Sequence, residues 1–396
     1  MNRFVASLFG IAYFSVPLFP SFITLAPVTV PGVSLLPTSM TVGVLVLMTL
    51  VAVASIVLLL VPPRMWPPTL TPLLLWLGAG IVAATFGFSP GAGLLFIAIF
   101  SLGIVWHLMT LRYYAMPGVS TAIFWCYVTS GGLAALAAIV MVVTKQPANQ
   151  YGIGHARAIG TFILPGELAG YLILFLPAAF GIARATSQRA LRVAAYAALG
   201  VGAAAFLMTF SRAGWMGLAA AVAFYSYMAG GVRRRYAPLI LLAGLAAVLL
   251  VFNVHHDPSE NFTRLSIWQA GIEIARRFPL TGVGPFDFAR VYPLVRLPDG
   301  DATAFHAHSF LLTALAETGI VGVIAVLWMW WRFAVALEER LRDAPARNAA
   351  LALAVTAGLV GTWVQGLIDT VSVVIFGLWL PTLALALVTA SHGPAE

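Results

Sequence analysis

Apolar runs of about twenty residues recur along the whole chain, joined by short polar connections, and each run can cross roughly 30 Å of hydrocarbon as a helix. The pattern predicts about twelve spans, at 5–26, 41–62, 69–87, 91–110, 119–143, 160–183, 192–210, 213–231, 237–254, 308–333, 348–369 and 372–391. Hydrocarbon offers no partner to a backbone N–H or C=O, so such runs must close their hydrogen bonds internally as helices. The expected fold is therefore an all-α polytopic membrane protein, with residues 1–396 forming a single integral membrane domain. The first run, from about Val5 to Ala26, has only Arg3 before it and no small-residue cleavage site, and is expected to stay as a span. The pattern is broken once at length, over 255–307 between the ninth and tenth spans. Within it Leu265, Trp268, Ile272 and Ala275 recur at helical spacing and lead into Arg276 and Arg277, which predicts an amphipathic helix lying at the interface on that apolar face. Pro279 should end this helix, and Gly282 and Gly284 allow turns or a close backbone approach. The loop is expected to be folded and partly helical.

Composition agrees with a hydrocarbon solvent: 61% of residues are hydrophobic and 9% charged, and the mean hydropathy is +0.98. The lone cysteine, Cys126, excludes an internal disulfide framework and a thiolate metal site. The formal charge of +8 could suggest nucleic acid, but the basic residues are scattered between apolar spans and form no continuous stripe, so no nucleic-acid partner is expected. The charge instead records topology. The connections holding Arg64, Arg112, Arg184 with Arg189 and Arg192, Arg233 to Arg235, and Arg340 with Arg342 and Arg347 each follow an even-numbered span. By the positive-inside rule they and both termini are cytoplasmic, in what is expected to be a bacterial inner membrane. The stretch Lys145 to Gly160 and the 255–307 loop then face the periplasm.

That outer face carries more arginine than the rule allows: Arg157, Arg264, Arg276, Arg277, Arg290 and Arg296, with Arg212 at the outer junction of the seventh and eighth spans. Guanidinium groups grip phosphate in bidentate fashion, so an anionic ligand is one reading, and lipid headgroup contact or helix-end anchoring is the other. Asp299-Gly300-Asp301 could hold a metal or form a solvated turn. His255, His256 and Asp257 could join His306 and His308 as ligands, but without helical spacing. His308 opens the tenth span at the outer face, where a neutral imidazole can take a proton from a hydroxyl; a helix-end histidine bonded to water fits the same position. Glu167, Glu317 and Asp369 are intramembrane or span-end carboxyls that suit either packing or orientation of neighbours.

Several segments of the second half of the chain carry a resemblance. Arg157-Ala-Ile-Gly-Thr-Phe162 followed by Pro165, Ser211-Arg-Ala-Gly214, Arg264-Leu-Ser-Ile-Trp268 and the Pro279-Leu-Thr-Gly-Val-Gly284 run resemble segments of the O-antigen ligase and O-antigen polymerase superfamily of envelope glycosyltransferases. Gly166 stands where that family frequently has asparagine. His308-Ser309, nine residues, Gly319, two residues and Gly322 fit the ligase signature of His, then Asn, Ser or Gln, nine residues, Gly, two residues, and Gly, Thr or Tyr.

The resemblance implies a glycan donor carried on undecaprenyl pyrophosphate, a lipid A core acceptor, and membrane lipids as surroundings. It implies His308 as general base, with Arg212 and Arg264 in the catalytic set, and Arg157, Arg212, Arg264, Arg276 and Arg277 as candidate binders of the donor pyrophosphate. His306 is expected to tolerate substitution better than His308. A pyrophosphate-linked glycan is already activated, and no phosphate-cradling glycine motif is present, so neither nucleotide, cofactor nor metal is expected. The ligase reading competes with a repeat-unit polymerase using the same chemistry. It also competes with a transporter of lipid-linked glycans, which would spread its arginines through the depth of the membrane.

Overall fold

The computed structural model describes residues 2–18, 67–146, 157–162, 164–251, 259–302, 304–343, 346–369 and 382–388. Among them the secondary structure is helical and no strand occurs. In chain order the helices are α1 (Asn2–Ser15), α2 (Leu70–Phe86), α3 (Pro90–Tyr113), α4 (Val119–Thr144), α5 (Pro165–Ala185), α6 (Arg189–Met208), α7 (Arg212–Met228), α8 (Ala237–Val251), α9 (Ser259–Arg277), α10 (Phe288–Val295), α11 (Phe310–Asp343) and α12 (Ala346–Gly366).

Their boundaries follow local chemistry. Pro90 and Pro165 open α3 and α5 in the first turn, where a missing N–H costs nothing. Ser89 caps α3 by accepting from Ala92 N at 3.3 Å, and Ser211 caps α7 by accepting from Gly214 N at 3.1 Å. Among the described residues five helices, α4, α5, α6, α11 and α12, are long and apolar enough to cross a membrane, and α1 and α2 are shorter apolar helices. The described secondary structure is thus all helical, consistent with an all-α membrane protein. The count of about twelve spans rests on the hydropathy pattern: the expected span at 41–62 lies outside the described residues, as does most of 372–391.

α5 is the hub, packed against α6, α7 and α12, with 83% of its most apolar stretch buried inside the protein. α7 and α12 touch backbone to backbone: a Cβ on Gly217 would lie 2.6 Å from the Gly361 carbonyl oxygen, so the contact exists only between glycines. Since α7 begins at Arg212 and α12 ends just before Asp369, this contact brings the two ends of the chain's second half to one face.

A second, smaller core sits over that face. Ile267, Ala270 and Ile274 of α9 pack with Val283, Phe288, Val291, Tyr292, Ala304, Ala307 and Ala316. The 259–307 stretch is therefore folded, as expected, but α9 is turned differently. Leu265 and Ile272, expected on its apolar contact face, are 60% and 45% exposed, and the buried stripe is Ile267, Ala270 and Ile274. Both stripes have helical spacing; the second wins because α10 and α11 are there to pack on it.

α11 is broken at Gly319, whose φ of 65° and ψ of −170° leave the helical region. In a continuous helix the carbonyls of Ala316 and Glu317 would accept from residues 320 and 321. Here Val283 N and Gly284 N donate to them instead, at 2.9 and 3.0 Å, and Ile320 N donates to Pro279 O at 3.0 Å. The Pro279–Gly284 run is thus stitched into the gap in α11. A Cβ on Gly319 would land on the Leu280 carbonyl, and one on Gly282 (φ 67°) on the Glu317 carbonyl, so both positions exclude every other residue.

Candidate active site

The start of α5, the start of α7, the first turns of α9, the 301–308 segment and the end of α12 enclose one pocket of about 350 Å3. Its lining includes Arg157, Arg212, Arg264 and His308, four residues distant in the chain. It also includes Gly166, Glu167, Ser211, Asp301, His306 and Asp369. The pocket is charged in both senses. Guanidinium groups suit phosphate oxygens, and carboxylates suit hydroxyl protons, so the lining matches a ligand carrying both phosphate and sugar. The N-termini of α5 and α7 add their partial positive charge on the same side.

Arg157 docks onto the end of α6. Its Nε donates to Thr209 O at 2.9 Å and its Nη2 to Phe210 O at 3.4 Å, while Ala158 N donates to Met208 O at 2.8 Å. Phe210 has a φ of 48°, so the chain turns sharply there before Ser211 and Arg212. Arg157 therefore steadies the turn that presents Arg212, in addition to lining the pocket.

Arg264 projects from α9. Its Nη1 donates to Ile368 O at 3.4 Å and its Nη2 lies 3.7 Å from Asp369 Oδ2. The other oxygen of that carboxylate, Oδ1, is 3.4 Å from His308 Nδ1. Asp369 thus bridges the arginine and the histidine. Because an ionised carboxylate only accepts, this contact keeps the proton on Nδ1 and leaves the Nε2 lone pair free to take another.

Asp369 fits because residue 166 lacks a side chain. A Cβ at Gly166 would stand 2.5 Å from Asp369 Oδ2. The neighbouring Gln365 Nε2 donates to Gly166 O at 2.7 Å and ties the end of α12 to the start of α5. The departure at Gly166 from the family's frequent asparagine is in this way matched by an aspartate in the space vacated.

Arg276 and Arg277 are placed elsewhere. They end α9, three turns beyond Arg264 and about 18 Å farther along the helix, and both are exposed and outside the pocket lining. Arg277 Nε pairs with Glu273 Oε1 at 2.8 Å. Asp301 reaches the pocket, with its carbonyl held by the Tyr292 hydroxyl at 3.0 Å, and Arg296 closes the same turn through Gly300 O at 2.9 Å. His255, His256 and Asp257 lie outside the described residues, and no group of three or more His, Cys, Asp or Glu side chains is placed to hold a metal among the described ones.

Sequence reasoning left Asp369 without a role and gave none to Gly166. The signal at Asp369 was a carboxyl at an outer span end, which is costly unless it has a partner; its partners, His308 and Arg264, are visible only in three dimensions.

Residues 195–327 match the family model of the O-antigen ligases. The match covers a third of the chain and takes in Arg212, Arg264, His308 and Gly319, while Arg157, Gly166 and Asp369 lie outside it. It bears out the resemblance read from the His308 to Gly322 signature and supports the O-antigen ligase superfamily. The O-antigen ligase family is one of membrane glycosyltransferase-type enzymes, with ligase or polymerase activity in lipopolysaccharide biosynthesis. Among curated proteins, none matches the chain.

Proposed function

We propose that the chain is an O-antigen ligase that moves a glycan from undecaprenyl pyrophosphate to a sugar hydroxyl of lipid A core at the periplasmic face. The observation that carries this reading is the convergence of Arg157, Arg212, Arg264 and His308 on one pocket, with Asp369 behind the histidine. In the proposed reaction His308 Nε2 takes the proton of the acceptor hydroxyl as its oxygen bonds to the anomeric carbon of the donor sugar. The bond from that carbon to the phosphate oxygen breaks, and the pyrophosphate leaves with the electron pair. Arg212 and Arg264 hold the leaving pyrophosphate and offset the charge it gains. Asp369 keeps the imidazole in the accepting tautomer and steadies the imidazolium that forms. Arg276 and Arg277, away from the pocket, act at the membrane surface in this reading and not on the pyrophosphate.

The convergence of Arg157, Arg212 and Arg264 on one pocket favours an enzyme over a transporter of lipid-linked glycans, which needs sites at several depths. The testing experiment incubates purified protein with undecaprenyl-pyrophosphate glycan and lipid A core, without nucleotide and with chelator. A covalent conjugate that forms with the native protein and is lost in His308→Ala is expected. Repeat-unit ladders formed without lipid A core would assign polymerase activity to the same residues, and no covalent product would exclude an enzyme of this kind.

A further inference from the structure

His306 and His308 close a small turn of their own. The His308 backbone N–H donates to His306 Nδ1 at 3.1 Å, and the two rings meet edge to face with centroids 4.5 Å apart and planes at 65°. His308 has a φ of 48°, in the left-handed region that few residues other than glycine adopt. That backbone sets the direction in which its side chain leaves the chain. With a negative φ the imidazole would depart along another direction and lose Asp369, 61 positions later.

Something must therefore hold the turn. Ala307 N donates to Thr313 Oγ1 of α11 at 3.1 Å, which ties residue 307 to the helix. His306 Nδ1 ties residue 308. An imidazole Nδ1 is one bond removed from Cγ, like the Oδ1 of asparagine or aspartate, and acceptance by that atom from the N–H two residues on is the geometry of an Asx-turn. The acceptor stays available because burial foremost, and the neighbouring His308 next, lower the proton affinity of His306 to a pKa of about 4, with Asp369 acting in the opposite direction.

We propose that His306 is a positioning residue, whose Nδ1 lone pair locks the left-handed turn that aims the His308 imidazole at Asp369 and into the pocket. The inference rests on the reading of His308 as the base. It revises the expectation that His306 is the more dispensable of the pair only in part: His306 acts through His308 and touches no reacting atom.

Its test is a comparison of two amides in the full-length protein, assayed with undecaprenyl-pyrophosphate glycan and lipid A core. His306→Asn places Oδ1 where Nδ1 stands, and His306→Gln carries its oxygen one bond too far. His306→Asn is expected to keep kcat within about threefold, and His306→Gln to lose about a hundredfold in kcat with donor KM changed less than about threefold, the pattern of a group acting only in the transition state. Melting of both variants in detergent within a few degrees of the native protein checks that the contrast is local. Equal activity of the two variants, or loss in both, would overturn the proposal. His308→Ala separates the levels: if it stays active, the base reading itself fails. If it is inactive while the amides behave alike, only the role of His306 fails.

Discussion

The imidazole of His308 and the carboxylate of Asp369 stand 3.4 Å apart, Nδ1 to Oδ1, joining the start of α11 to the end of α12. An acceptor-only carboxylate at Nδ1 selects the tautomer with its lone pair on Nε2. Asp369→Asn can be satisfied with the other tautomer and would misdirect the base. Turnover is expected to fall roughly a hundredfold or more, the usual worth of general acid–base help, while bound donor measured by filter or calorimetry changes little.

Gly166 guards that contact. Since a Cβ there would stand 2.5 Å from Asp369 Oδ2, Gly166→Ala should displace the carboxylate and lower kcat in the same way as Asp369→Asn. Two changes that damage one contact are not additive. The double variant Gly166→Ala/Asp369→Asn is expected to be about as slow as the slower single one, and multiplication of the two losses would show that Gly166 acts through something other than Asp369.

The arginines divide into two groups by position. Arg212→Lys and Arg264→Lys keep the charge but lose the planar fork, and donor affinity should drop about tenfold to a hundredfold, or roughly 1.4–2.7 kcal/mol. Arg276→Ala and Arg277→Ala, exposed and about 18 Å along α9 from Arg264, should bind donor as the native protein does. Equal losses in both groups would point to a general electrostatic effect and not a pocket.

Gly319 is a structural member of the signature. Gly319→Ala places a Cβ at a φ of 65° and onto the Leu280 carbonyl. With ψ at −170° this is a backbone region that essentially only glycine adopts; holding another residue there costs about 1–3 kcal/mol, and the overlap adds to it. The variant should show a lower melting temperature and faster proteolysis in the 278–286 loop, whose backbone bonds to α11 depend on the break.

Acid should loosen the His306 turn. Its folded pKa of about 4 lies below the ordinary 6.5, so its contribution to stability is fully present above 6.5, falls as pH drops from there towards 4, and is level below that. Protonation of Nδ1 also removes the acceptor of the His308 N–H. Exchange of the amides in 304–312, corrected for the intrinsic rate, should quicken between pH 6.5 and 4. His306→Asn, with no proton to gain there, should show a flatter profile, since His308 and Asp369, which face the same turn, are common to both proteins.

The hydropathy pattern determined the helices, because a chain in hydrocarbon has no other way to satisfy its backbone: those at 69–87, 91–110 and 119–143 reappear as α2, α3 and α4 within a few residues. The parity of basic connections grouped Arg157, Arg212, Arg264 and His308 before any contact was known, since alternation across a membrane relates residues far apart in the chain. The break at Gly319 was legible as a motif but not as a reason, which lies in the loop that donates to Ala316 and Glu317. The face of α9 was decided by its neighbours: two apolar stripes had the right spacing, and only the packing of α10 and α11 chose Ile267, Ala270 and Ile274. Asp369 was beyond the reach of sequence alone. A carboxyl at a span end has one chemistry and many possible partners, and it is the glycine contact of α7 with α12, the empty side chain at Gly166 and the left-handed turn at His308 that bring this one to the imidazole.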